Sequence, residues 1–133
     1  MILKLRNKIL NWDKVEGIIT EDFNTMHEYD DNGKEYSVAR TTKRYSYPYA
    51  IRIKMAGMSD VIFYRADNYE ELKEVYDKVV GEIICSLSMN SQCCDLSELE
   101  VKHDLFVRNV TDKEMKKIWE ERPVDMLEVR ADG

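Results

Sequence analysis

Cys85, Cys93, Cys94, His27 and His103 are the side chains here with the chemistry for nucleophilic attack or metal binding. A cysteine nucleophile needs a base within hydrogen-bond reach and a third group to orient that base. Cys94, His103 and Asp104 supply the right types, but any chain with three Cys and two His offers such a trio, so the spacing selects nothing. Structural zinc sites place paired cysteines two to four residues apart. Cys93 and Cys94 are adjacent, and their side chains diverge. The reading is therefore no catalytic residue, no metal and no cofactor. Glycine-rich phosphate loops, Gly-x-Ser-x-Gly, His-Glu-x-x-His and Walker patterns do not occur. The Asp30-Asp31-Asn32-Gly33 run has the look of a calcium loop. With Glu28 as position one, however, position twelve is Ala39, where a bidentate Glu is required.

Binding chemistry is richer. Arg40, Lys43, Arg44, Arg52 and Lys54 interleave with Tyr45, Tyr47 and Tyr49. Cations neutralise phosphates and rings stack on bases, so this stretch is the candidate nucleic-acid face. Strand geometry weighs against it. At period two, Tyr45, Tyr47 and Tyr49 share a face with Ile51, Ile53 and Met55, while Arg44, Arg52 and Lys54 point the other way. Pro48 interrupts the run and argues for an edge or a break.

The elements that must position these groups read as α+β. Leu72, Val75, Tyr76, Val79, Val80, Ile83, Ile84 and Leu87 fall at i, i+3, i+4, i+7 spacing over 67–89, one apolar stripe of a long helix. Asn68 with Glu71 three residues on is a capping-box start. Glu70, Glu71, Glu74, Asp77 and Glu82 lie opposite the stripe as a solvated face, with Glu74–Lys78 pairing. Cys85 borders the stripe and is expected to be buried packing. About five strands precede the helix as an antiparallel meander: an alternating segment through Leu3, Leu5 and Ile9; Val15–Thr20; two segments, 21–29 and 34–42, around the Asn32-Gly33 hairpin turn; a run from Tyr45 to Met55; and 61–66. A β-α-β part follows. A polar loop at 90–95 leads to a strand through Leu99, Val101, Leu105 and Val107, with His103 on its apolar side. A helix opened by Thr111 and Glu114 presents Met115, Ile118 and Trp119 inward, and Pro123 stops it. A last strand spans 124–129. Residues 1–133 are read as one domain, with 1–89 holding the sheet and long helix and 90–133 a C-terminal subdomain.

Charge sorts the partners. The net charge of −6 combines +2 over residues 1–66 with −8 over residues 67–133. Long-range repulsion makes such a chain a poor generic binder of phosphate backbone. No apolar run approaches the roughly 20 residues of a membrane span, and the first residues lack a signal-like apolar stretch. A cytoplasmic setting is expected, with the odd number of cysteines as free thiols. In style the chain resembles small proteins of bacterial phages and mobile elements: compact, acidic, strand-rich at the start and without a catalytic signature. No motif carries that likeness. The expected function is a small non-enzymatic protein that binds another protein, in one form an inhibitor of a basic, nucleic-acid-handling partner. The alternatives are a nucleic-acid-binding accessory protein using residues 40–54 and, last, a small cysteine- or histidine-dependent enzyme. Oligomeric state is not encoded in any pattern found.

Overall fold

The apolar stripe forms the main helix, and that helix organises the rest. A computed structural model describes residues 1–39, 43–103, 106–109 and 111–120, leaving the side chains of Met26, His27, Ser37, Ala39, Lys43, Met115, Ile118 and Trp119 outside the description. Helix α1 spans Tyr69–Ser88. At its start the Glu71 N–H donates to Asn68 Oδ1 at 2.8 Å, satisfying one of the orphan amides of the first turn. At its end Asn90 takes the left-handed conformation, φ 54°, and the Ser91 and Asn90 amides return to the carbonyls of Ser86 and Leu87. That is a Schellman closure with asparagine in the place usually given to glycine.

Leu72, Val79 and Ile83 of α1 are buried. They pack against β7 (Tyr49–Met55), β8 (Val61–Ala66) and β9 (Cys93–Asp95). Strand β3 (Val15–Asp22) completes an antiparallel sheet in the order β3-β7-β8. Along β7 the alternation holds as expected: Ile51, Ile53 and Met55 are buried, while Arg52 and Lys54 face outward. In β8 it does not. Ile51 pairs with Tyr64 and Arg52 with Ile62, so Phe63 is the extra residue of a bulge. The bulge resets the side-chain parity, and Phe63 and Tyr64 are both buried.

A second sheet has the order β2-β1-β9, where β1 is Ile2–Lys4 and β2 is Ile9–Asn11. The single N-terminal strand expected through Ile9 is thus a hairpin. The Leu5 amide bonds the Lys8 carbonyl across Arg6-Asn7, so Leu10 faces the core and Ile9 is 69% exposed. Cys93–Asp95, expected as loop, is a strand because β1 pairs with it in parallel, Leu3 against Cys94. Leu3, Leu10, Cys94 and Leu96 join the core under α1, with Leu99 and Val101 packed against it. That core draws residues after position 90 into the same body as the sheet.

The remaining described strands form two-stranded ribbons, so the described strands divide among four small sheets and not one five-stranded meander. β4 (Thr25–Tyr29) and β5 (Glu35–Ala39) make the expected hairpin, with Gly33 at φ 81° in its turn. From the Asp22↔Tyr49 rung to the Thr25↔Ala39 rung the chain advances three residues on one side and ten on the other. The surplus leaves the ladder. Part of it is β6 (Lys43–Tyr45), which pairs antiparallel with β10 (Val107–Asn109). Among the described residues of the strand expected over Leu99–Val107 are a parallel bridge of Val101 with Tyr64 and the start of β10, each with a different partner. Helix α2 covers Asp112–Glu120. Pro123, the strand expected at 124–129, and residues Asp104 and Leu105 lie outside the described residues.

Candidate functional site

Of the five basic positions of the candidate nucleic-acid face, Arg44, Arg52 and Lys54 have described side chains, and these lie in different settings. Arg40 lies outside the described residues, and of Lys43 only its place in β6 is described. Arg52 on β7 reaches the Glu21 carboxylate of β3, its Nε 3.1 Å from both oxygens and its Nη2 bonded to Oε1. Asp60, whose Oδ1 also accepts the Met55 amide, lies 3.6 Å from Arg52 Nη1. The hydrogen bond to Glu21 raises the guanidinium further above its ordinary value. Two carboxylates therefore neutralise this arginine inside the fold. Lys54 is exposed on the same outward face of β7.

Arg44 has a different setting. It lies on β6, directly across the ladder from Arg108 of β10. Opposed residues on an antiparallel pair project to one side with Cβ atoms roughly 4.5–5.5 Å apart, and like charges there repel. Arg108 is compensated by Glu114 of α2 at 3.0 Å, which holds the Glu114 carboxyl below its ordinary range. Arg44 is half-buried, its Nη1 is shut away from water, and among the described residues that nitrogen has no hydrogen-bond partner. Burial pushes the Tyr49 phenol up, and the Arg44 charge pulls it back.

The three tyrosines also separate. Pro48 breaks the run, so only Tyr49 joins the core with Ile51 and Ile53. The Tyr45 ring lies 5.9 Å from Phe23, and the Tyr47 ring stacks on His103 at 4.2 Å with 13° between planes. His103 is half-buried, and its carbonyl accepts from Arg65. The Ser46 amide donates to the Phe106 carbonyl at 2.8 Å, carrying the β6–β10 register one rung further. Arg108, Phe106 and Arg65 were not among the residues singled out from sequence. Only the pairing of β6 with a strand some sixty positions away brings the first two beside Arg44, and no local pattern signals it.

Sequence reasoning also passed over Glu100. It is 1% exposed, its Oε1 accepts the Arg6 amide at 2.8 Å, and its Oε2 sits 3.1 Å from Lys102 Nζ. Arg6 Nε donates in turn to the Ser97 carbonyl. These contacts tie the β1–β2 turn to the chain leaving β9.

Cys93 and Cys94 point to opposite faces of β9, one exposed and one buried. Burial raises the Cys94 thiol above its ordinary value. Cys85 is exposed, contrary to expectation, because it turns past the flank of the stripe that the sheet covers. Among the described residues no three His, Cys, Asp or Glu side chains gather in a metal-holding group. Asp30 caps its own hairpin, Oδ1 accepting from the amides of Asn32 and Lys34 at 2.8 Å.

The stripe of α1 outruns its sheet. Ile84, Leu87 and Met89 are 57%, 44% and 72% exposed. Leu87 lines an open cleft of about 480 Å³ with Met1, Trp12, Asp13 and Gln92, below the Schellman turn. On the same helix Glu70, Glu71, Glu74, Asp77 and Glu82 are exposed, and Glu74 meets Lys78 at 3.4 Å as expected. No described helix is long and apolar enough to cross a membrane. No protein-family model, curated protein or solved structure matches this chain.

Proposed function

We infer that the chain is a non-enzymatic module that binds another protein through the C-terminal end of α1. The observation that carries this reading is the exposed apolar end, Ile84, Leu87 and Met89, of which Leu87 lines the Trp12 cleft. An amphipathic helix normally turns such residues inward, and an exposed apolar cluster rimmed by polar groups is the usual mark of an interaction surface. Five carboxylates against two lysines along the same helix select a partner with an apolar projection and a basic rim. An inhibitor of a basic, nucleic-acid-handling protein is one concrete form. The acidic balance of residues 67–133 supports it.

The test uses Ile84→Glu and Leu87→Glu. Both positions are exposed, so the melting midpoint should hold within a few degrees. A partner captured from extract of the native host by the unaltered protein, then rebuilt as a purified pair, should lose at least tenfold in affinity to either variant. Undiminished binding by both variants would place the interface elsewhere.

A further inference from the structure

We propose that α1 receives an α-helix of the partner protein, one with an apolar stripe at alternating steps of three and four residues and a flank of lysine or arginine. The proposal rests on the reading of the α1 end as an interaction surface and assigns what lies on it. α1 carries two apolar rows. Leu72, Val79 and Ile83 form the buried one. Val80, Ile84 and Leu87 form the other, roughly a quarter-turn round the helix. Val80 is half-buried, and Ile84 and Leu87 are 57% and 44% exposed. A step of four followed by a step of three is the spacing of a seam between paired helices. The next seam position is Ser91, past the Schellman turn. It lines the Trp12 cleft of about 480 Å³ together with Leu87. The seam therefore runs into a recess with room for a large anchoring side chain of the partner.

Charge selects the occupant. Toward the start of α1 the seam positions are Asp77, Lys73 and Glu70, and Glu74 stands on their flank, all four exposed. Three carboxylates against one lysine favour a partner helix that is basic along this half and apolar along Val80 to Leu87. A second copy of the chain fits neither way round. Antiparallel pairing sets Ile84 and Leu87 of each copy against Glu70 and Asp77 of the other. Parallel pairing sets Glu70, Glu74 and Asp77 against themselves. An extended segment fits no better, because it binds by adding to a sheet edge, and the backbone groups inside a helix are already bonded along its axis.

The probe is a synthetic peptide of about three heptads, with leucine at the seam positions and lysine flanking them, followed by fluorescence anisotropy and circular dichroism. One companion peptide has glutamate in place of lysine. Another has the same composition shuffled so that no apolar face forms. The lysine-flanked peptide should bind at least tenfold more tightly than either companion and gain helix on binding. Ile84→Glu and Leu87→Glu should each weaken it at least tenfold. Glu74→Lys combined with Asp77→Lys, both at exposed positions, should weaken it and tighten the glutamate-flanked peptide. That reversal keeps the test decisive even if Ile84→Glu or Leu87→Glu disturbs folding. Absence of binding by the lysine-flanked peptide at high micromolar concentration overturns the proposal. If the host partner still loses affinity to Leu87→Glu, the interface stands and only the helix falls. A host partner indifferent to Leu87→Glu as well removes both. Peptide binding that ignores Ile84 and Leu87 and fades with salt is charge alone, and it overturns the proposal. A dimer of the unaltered chain that Leu87→Glu dissolves in sedimentation gives the seam to a second copy and overturns it too.

Discussion

The Tyr76 hydroxyl donates to the carbonyl of Ile18 across 3.0 Å, and this bond ties the middle of α1 to β3, the edge strand of its sheet. Among the described residues β3 has a sheet neighbour only on its β7 side. On the other side its backbone groups need water or a side chain, and the phenol supplies one such contact. Tyr76→Phe keeps the ring and deletes the bond. A loss of about 0.5–1.5 kcal/mol is expected, a drop of a few degrees in melting midpoint. Amide exchange should quicken in β3 more than in β7. Uniform exchange across both strands would mean that the phenol does not anchor the edge.

Val79 sits at 0% exposure between helix and sheet. Val79→Ala should cost on the order of 1–3 kcal/mol through the cavity it leaves, and Val79→Asp more, because a carboxylate there has no partner. Urea melts of the two variants should rank in that order. A Val79→Asp protein as stable as the parent would show that the stripe does not cover the sheet at this turn.

Arg52 should matter to folding. Its side chain and those of Glu21 and Asp60 are each about three-quarters covered. Arg52→Met would leave two neighbouring carboxylates without their cation. The expected cost is about 1–3 kcal/mol, between the exposed and buried limits for ion pairs. In a double-mutant cycle Glu21→Gln should recover part of it.

How much of this was legible depended on how local the cause was. The α1 stripe, its Asn68 cap and the Asn32-Gly33 hairpin follow from short-range rules, and all three stand in the structure. The alternation of Ile51, Ile53 and Met55 against Arg52 and Lys54 stands as well. What failed was partner choice. Cys93–Asp95 is a strand only because β1, some ninety residues earlier, runs beside it. The extra residue at Phe63 breaks the period-two reading where no glycine or proline marks it, whereas the ten-for-three step before β7 ends beside Pro48, which does mark a break. The binding stretch suffered most. Its arginines looked equivalent in sequence, yet long-range contacts neutralise Arg52 and set Arg44 against Arg108.

The Arg108–Glu114 pair gives an acid-side signature. Its carboxyl titrates below the ordinary 4.5, chiefly through the hydrogen bond from Arg108. A depressed folded value means that the contact contributes above the unfolded value and is lost as pH falls through the folded one. Side-chain NMR should find the Glu114 midpoint below 4.5, returning toward it in Arg108→Gln. An unshifted midpoint in the parent protein would mean that Glu114 is not seated on Arg108.

The alkaline limb should be steeper than the exposed surface implies. Burial raises the Cys94 thiol above 9.0 and the Tyr49 and Tyr64 phenols above 10.0, the Cys94 shift partly offset by Ser86 and that of Tyr49 by Arg44. A group raised in the folded state stabilises fully below its unfolded value, and that stability is lost as pH climbs through the folded one. Stability should therefore begin to fall near pH 9, as the unfolded thiol ionises, and fall faster past 10 as the phenols follow. Cys94→Ala should flatten the first part and Tyr64→Phe the second. The same burial predicts thiol reactivity: at pH 8 an aromatic disulfide reagent should modify Cys85 and Cys93 quickly and Cys94 only on unfolding. Three equally fast thiols would mean that β9 does not hold Cys94 against α1, and the alkaline limb would then lose its first cause.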